Sequence, residues 1–95
     1  MTHIPVKVEF SVGQFLYRQL KRIGDLAIYA QVRESTILAY EVVKIKRHNG
    51  YEIAGIQIEP AEMYPASSFW GINGWTYTSY DKAESKFERL NAAPT

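Results

Sequence analysis

The fold is decided by residues 26–47, which read LAIYAQVRESTILAYEVVKIKR. From Leu26 to Val32 apolar side chains occupy every second position, which is the period of a strand with a buried face. Residues 33–36 have the composition of a turn, and alternation returns from Ile37 to Arg47. In this second run one face carries Ala39, Val43 and Ile45, and the other carries Tyr40, Val42, Lys44 and Lys46. The stretch therefore predicts two adjacent antiparallel strands.

Residues 14–23, which precede this pair, fit two interpretations. Residues 11–14 have the spacing of a capping box, and leucines follow at helical intervals, which predicts a helix. Phe15 and Tyr17, with the tight-turn pair Gly24-Asp25 after them, predict a strand instead. We favour the strand, because a hairpin gives the next strand a neighbour.

The remaining segments on either side extend the sheet. Residues 4–10 alternate cleanly and predict a first, half-buried strand. Asn49-Gly50 is the strongest hairpin signal in the chain and predicts a turn into a strand at 51–58, in which Gly55 indicates a bulge. Residues 60–74 are rich in Pro, Gly, Ser and Asn and read as a loop.

The C-terminal part predicts a short strand at Trp75–Thr78 followed by a helix. Thr78 or Ser79 can cap its N-terminus, and an apolar stripe follows at Tyr80, Ala83, Phe87 and Leu90. Residues 92–95 should fray. We therefore predict one α+β domain over residues 1–95, an antiparallel meander sheet of four to five strands with the C-terminal helix packed on one face and the aromatic loop closing one end of these two layers.

Composition excludes several classes of protein. The 95 residues are 46% hydrophobic and 22% charged, as in a globular domain, and the absence of cysteine rules out disulfides and thiolate sites. No stretch approaches the roughly 18 apolar residues of a membrane span, and the N-terminus lacks a signal-peptide pattern, so we expect a cytoplasmic protein. The net charge of +1 divides unevenly, with eight Lys or Arg against four Asp or Glu in residues 1–50 and three against six in residues 51–95.

Aromatic residues are concentrated between Tyr64 and Tyr80, which hold six of the thirteen in the chain. Tyr and Trp dominate the energetics of protein interfaces, and they also fill small cores. We expect Tyr80, Tyr77 and Trp75 to pack near the helix, and the loop to be a recognition surface centred on Trp70. The candidate partner-binding residues are Tyr64, Phe69, Trp70 and Trp75.

Basic residues on the predicted strands suggest an alternative function. If the strands are neighbours, their cations can share a face suited to phosphates, with tyrosines interleaved as in sheet-surface nucleic-acid binders. This face would bind a nucleotide or nucleic acid through Arg18, Lys21, Arg22, Lys44, Lys46 and Arg47. The competing explanation is that cations at sheet surfaces provide solubility and oppose edge pairing.

No catalytic, metal or cofactor motif stands out. Glu41, Glu52, Glu59 and Glu62 are the carboxylates available for acid–base chemistry, but the sequence predicts no cleft that would perturb them. His3 and His48 lack a ligand spacing, and no Gly-rich phosphate loop is present. We therefore expect a non-enzymatic protein without a cofactor or metal.

Several short stretches of the sequence resemble those of small accessory proteins of bacteriophages and mobile elements. The landmarks are residues 24–29, 40–43, 64–65, 70–77 and 83–87, which are spread over about two-thirds of the chain. The resemblance implies a cytoplasmic phage or prophage protein that acts by binding, as inhibitors of host defence do. The resulting expectation is a protein-interaction module with a protein partner, and an exposed edge strand also permits a homodimer.

Overall fold

The structure is a computed structural model that describes residues 2–92. Its elements are β1 (Glu9–Val12), β2 (Phe15–Ile23), β3 (Leu26–Arg33), β4 (Thr36–Lys44), β5 (Lys46–His48), β6 (Tyr51–Ile53), β7 (Ile56–Ile58), β8 (Ala61–Met63), a 3₁₀ turn (Ser67–Phe69), β9 (Gly74–Tyr77) and α1 (Tyr80–Ala92).

The predicted α+β fold is confirmed. A five-stranded sheet has the order β1-β2-β3-β4-β9, every neighbouring pair is antiparallel, and α1 packs against one face. Residues 14–23, which fitted either a helix or a strand, contribute the strand β2. The turn between β3 and β4 places Glu34 and Ser35 at φ values of 50° and 66°, the left-handed conformation that two-residue hairpin loops require.

The sheet is buried on both sides at its centre. On the helix side Ile28 and Val42 pack against Ala83 and Phe87, so the predicted apolar stripe of α1 is confirmed. On the opposite side lie Ala27, Tyr29, Val43 and Ile45. Strands β3 and β4 therefore carry apolar residues at consecutive positions, because both of their faces are covered.

The aromatic segment, by which we mean residues 64–70, covers the sheet face opposite α1. This corrects the prediction that the aromatic loop closes one end of the sheet and helix layers. Tyr64 and Trp70 pack on this second core together with Val6 and Phe10 from the N-terminal segment. The physical reason is that Tyr29 and its neighbours form a second apolar face, which one helix on the other side cannot cover. The domain is thus three layers thick.

A two-stranded arm extends from β4. The β5–β8 and β6–β7 ladders keep one register and are symmetric about the turn at Ala54-Gly55, where the φ values are 50° and 80°. The predicted turn at Asn49-Gly50 is therefore wrong, and Gly55 belongs to the turn instead of a bulge. Gly50 lies inside the arm, where a Cβ would come within 2.9 Å of the Ile58 carbonyl oxygen. The φ of 89° at Gly50 and the close approach of the facing strand, and not a hairpin turn, require this glycine.

The two ends of the chain also differ in part from expectation. Residues 4–10 do not form one strand: β1 begins at Glu9, and Ile4 makes only an isolated parallel bridge to Ala61. The N-terminal segment crosses the second face, which buries part of Val6 and Phe10 but leaves Ile4 exposed. At the other end Ala92 is the last residue of α1, and the rest of the tail predicted to fray lies outside the described residues.

Candidate functional site

An open cavity of about 520 Å³ lies on the sheet face opposite α1. Four aromatic residues from three parts of the chain form its walls: Phe10 from β1, Tyr17 from β2, and Tyr64 and Trp70 from the aromatic segment. The floor and rim are completed by Val12, Glu41, Pro65, Ala66, Ser67 and Thr76. We call this feature the aromatic cavity.

The walls are fixed by ring-to-ring contacts. Phe10 and Tyr17 are register partners on β1 and β2, and their rings stack with centroids 5.1 Å apart and an interplanar angle of 14°. Tyr64 places its ring edge-on to Phe10 at 5.2 Å and perpendicular to the buried Tyr29 at 5.0 Å. These are the favourable offset and edge-to-face geometries of aromatic pairs. The cavity is therefore a preformed feature of the free protein.

Trp70 is held over the backbone of Gly74. A Cβ at position 74 would lie 2.5 Å from Cζ3 of the indole, so only glycine lets the ring reach this position. The Gly71 N–H donates to the Gly74 carbonyl at 2.7 Å, which closes the loop between them. The indole Nε1–H donates to Thr76 Oγ1 at 2.9 Å, so the outer wall of the cavity is tied to β9.

Glu41 forms the polar floor of the cavity and is only 8% exposed. The Tyr64 hydroxyl donates to its Oε1. Burial raises the pKa of the Glu41 carboxyl above its usual value, although the hydrogen bond from Tyr64 acts in the opposite direction. Burial and the neighbouring Glu41 raise the pKa of Tyr64, which therefore stays a protonated donor at all physiological pH values.

A second carboxylate, Glu62, anchors the segment that carries Tyr64. Its oxygens accept two hydrogen bonds from Arg22 at 2.8 Å, one from the Val6 N–H at 3.0 Å and one from Arg47 at 3.1 Å. Arg47 also makes a two-point contact with Asp25 at 2.7 and 2.8 Å. The hydrogen bonds from Arg22 lower the pKa of Glu62 to about 2. This cluster joins β2, the arm and the N-terminal segment beside the cavity.

The four predicted partner-binding residues are divided by the structure. Tyr64 and Trp70 line the aromatic cavity together. Phe69 is 50% exposed and lies outside it. Trp75 packs on the helix side of the sheet, as predicted, where Lys44 and Lys86 lie over its ring at 5.7 and 4.3 Å. The two tryptophans are thus on opposite faces, because they belong to different layers.

The six basic residues proposed to share a surface do not do so. Arg22 and Arg47 contact Glu62 on the cavity side, whereas Lys21 lies over Phe87 and Lys44 over Trp75 on the helix side. Arg18 pairs with Glu9 at 3.2 Å, and Lys46 lies exposed on the arm. Strand alternation sends these cations to both faces, and several are already neutralised by carboxylates.

Phe10, Tyr17 and Glu41 are the site residues that sequence reasoning missed. Phe10 and Tyr17 lie on strands far from the aromatic segment in sequence. A signal for Glu41 was present: it occupies the alternation face of Ala39, Val43 and Ile45, and a charged side chain is rarely buried on such a face unless it has a partner.

Within residues 2–92 no three His, Cys, Asp or Glu side chains come together as they would to hold a metal ion. In the same range no helix has the length and hydropathy that crossing a membrane requires.

Comparison with known proteins gives no match to a family model, a curated protein or a solved structure. The site is therefore interpreted from its own geometry.

Proposed function

We propose that this protein is a non-catalytic protein-binding module that receives a side chain of its partner in the aromatic cavity. The observation that carries the proposal is an open space of about 520 Å³ walled by four aromatic rings. Tyr and Trp in partly desolvated pockets are the residues that most often dominate the binding energy of interfaces. A space of this size is large enough to receive a side chain of a partner.

The rigidity of the walls favours binding. Stacking of Phe10 on Tyr17, and the bond from the Trp70 indole to Thr76, hold the rings in place before a partner arrives. A preformed site avoids much of the entropy cost of ordering side chains on association.

The surroundings of the cavity supply further contact area. Phe69 and Ile72 are exposed on the same loop as Trp70, and Val12 is exposed at the rim. These exposed apolar side chains are surface that a partner bound at the cavity would also cover, as the periphery of an interface is covered. Phe69 therefore keeps a place in the proposed interface, although it does not line the cavity.

The resemblance to accessory proteins of phages suggests which partner to seek. In this proposal the protein acts in the cytoplasm and binds a host factor, and one class of such factors is the nucleases of host defence. This part of the proposal rests on analogy between proteins and not on the chemistry of the site.

Affinity capture from host lysate with paired variants tests the proposal. Trp70→Ala removes one wall, and Tyr51→Ala, which removes an exposed aromatic side chain from the arm, is the matched control. We expect a specific partner to be retained by the wild type and by Tyr51→Ala, and to be lost with Trp70→Ala. Direct titration of the purified partner should reproduce this order. Equal affinity for a folded Trp70→Ala variant would refute the assignment of the cavity.

A further inference from the structure

Glu41 is a buried carboxylate without a counter-charge. None of the ion pairs within residues 2–92 involves it, and Arg22 and Arg47, which lie on the same side of the sheet, are engaged by Glu62 and Asp25. Its one hydrogen bond in this range comes from the neutral Tyr64 hydroxyl. Buried carboxylates are normally paired with a cation, and the carboxylate in the floor of the cavity lacks one.

One oxygen of Glu41 is available to a ligand. Oε1 accepts the bond from Tyr64, whereas Oε2 accepts none within residues 2–92. Every fully buried side-chain oxygen in the same range has a hydrogen-bond partner. Because Oε2 has none, it is not fully buried and keeps some exposed surface. The open space next to Glu41 is the aromatic cavity.

We propose that the occupant of the aromatic cavity is a cationic side chain, arginine or lysine, presented by the partner protein. This inference rests on the proposed function and specifies the chemistry of the partner. The cation would contact Oε2 of Glu41, and its alkyl stem would lie against the rings that wall the cavity.

The aromatic walls of the cavity also favour a cation. Ring faces of Trp, Tyr and Phe attract Lys and Arg electrostatically, and the attraction grows when water is excluded. Trp70 and Tyr64 face the same space with centroids 6.4 Å apart and an interplanar angle of 31°. A neutral apolar side chain would also fill this space, but it would desolvate Glu41 further without compensation.

Glu41 also makes the affinity for a cation depend on pH. The titratable groups that share the cavity with it are the hydroxyls of Tyr64, which donates to Glu41, and of Tyr17 on β2. Tyr29 on β3 is the register partner of Glu41, but its hydroxyl donates to the Lys7 carbonyl oxygen. Burial raises the pKa of Glu41, whose protonation removes the charge that attracts the cation. Affinity for a cation should therefore be full above this pKa and should fall as the pH is lowered through it. A neutral ligand should show no such loss.

Titrations with single amino-acid probes test the inference without knowledge of the partner. The probes are N-acetyl-arginine amide, N-acetyl-lysine amide and the neutral N-acetyl-norleucine amide, and tetramethylammonium represents a free small cation. Binding is followed by NMR at the two indole N–H signals, because Trp75 on the opposite face serves as an internal control. We expect the Trp70 signal to shift with the arginine or lysine probe, with affinity about tenfold above that of norleucine. Norleucine binding as tightly as both cationic probes would overturn the proposal, as would preference for tetramethylammonium.

Glu41→Gln separates this inference from the proposed function. Glutamine keeps the shape of the floor and can still accept from Tyr64, but it has no charge. We expect the preference for the cationic probes, and its dependence on pH, to disappear, while norleucine binds as before. If the variant keeps the cationic preference, the inference is wrong. If partner capture survives in Glu41→Gln but not in Trp70→Ala, the binding module stands and only its cationic specificity fails.

Discussion

Replacing Glu62 with glutamine should destabilise the fold in a pH-dependent way. Glu62 accepts four hydrogen bonds, three of them from arginines, and its side chain is 10% exposed. The drop in its pKa from 4.5 to about 2 corresponds to roughly 3 kcal/mol of stabilisation of the charged form. Because Arg47 reaches solvent, screening reduces the expected loss of unfolding free energy to about 2 kcal/mol at neutral pH.

The sign of the pH dependence follows from the direction of the shift. A carboxyl whose pKa is lowered by folding contributes stability above its unfolded pKa, and this contribution is lost as the pH falls toward the folded value. The difference between the wild type and Glu62→Gln should therefore be largest above about pH 5.5 and should shrink steadily between pH 4.5 and about 2.

Urea denaturation at a series of pH values measures this difference. Glu9→Gln is the matched control, because Glu9 makes a single exposed contact with Arg18 and should change the unfolding free energy by no more than about 0.5 kcal/mol. An equal effect of the two substitutions at neutral pH would refute the reasoning. So would a Glu62→Gln penalty that stays constant down to pH 3.

Three further substitutions probe the cavity and the core. Gly74→Ala should displace the Trp70 ring, because the new Cβ would lie 2.5 Å from it; the expected cost is about 1–3 kcal/mol in thermal or urea unfolding, with a large shift of the Trp70 indole N–H signal in NMR spectra. Tyr64→Phe removes the hydroxyl that donates to Glu41 and should lower the unfolding free energy by about 1–3 kcal/mol at neutral pH, with a smaller loss in acid, where a protonated Glu41 costs less to bury. Phe87→Ala should cost about 3–5 kcal/mol, because the ring is 1% exposed in the helix-side core, and circular dichroism should show partial or complete unfolding.

These outcomes have separate controls. Ser68→Ala, at an exposed position in the same loop as Trp70, should leave the Trp70 signal in place. An unperturbed Trp70 signal in Gly74→Ala would contradict the close contact described above. For Tyr64→Phe, a loss of stability that is the same at neutral and acidic pH would contradict the role of its hydroxyl as a donor to a charged Glu41.

Much of the fold could be predicted from local patterns. Alternation from Leu26 to Val32 and from Ile37 to Arg47 predicts the strands β3 and β4, because successive side chains of a strand point to opposite faces of the sheet. The stripe of α1 is equally local, since side chains three and four residues apart share one helix face. Turn propensity was less decisive: Asn49-Gly50 has the stronger hairpin composition, yet the chain turns at Ala54-Gly55, because pairing of the arm on both sides selects the register.

The site was predicted only in part. Tyr64 and Trp70 were recognisable because aromatic residues cluster in a Gly- and Pro-bounded segment. Trp75 has the same local composition but faces the helix, because β9 pairs with β4 in the register that places Trp75 beside Val42. The loop that carries Trp70 and the strand that carries Trp75 thus join different layers, and composition carries no information about that choice.

By itself, the sequence determined the class of fold, the order of the consecutive strands β1 to β4 and the buried face of the helix, because each depends on residues that are close together in the chain. Only the tertiary structure decided that Phe10, Tyr17, Tyr64 and Trp70 enclose one space above Glu41. These residues are brought together by the second apolar face of the sheet, which the N-terminal and aromatic segments cover from opposite ends of the chain. Contacts of this kind depend on which layer each segment joins, and that choice is a property of the whole packed domain.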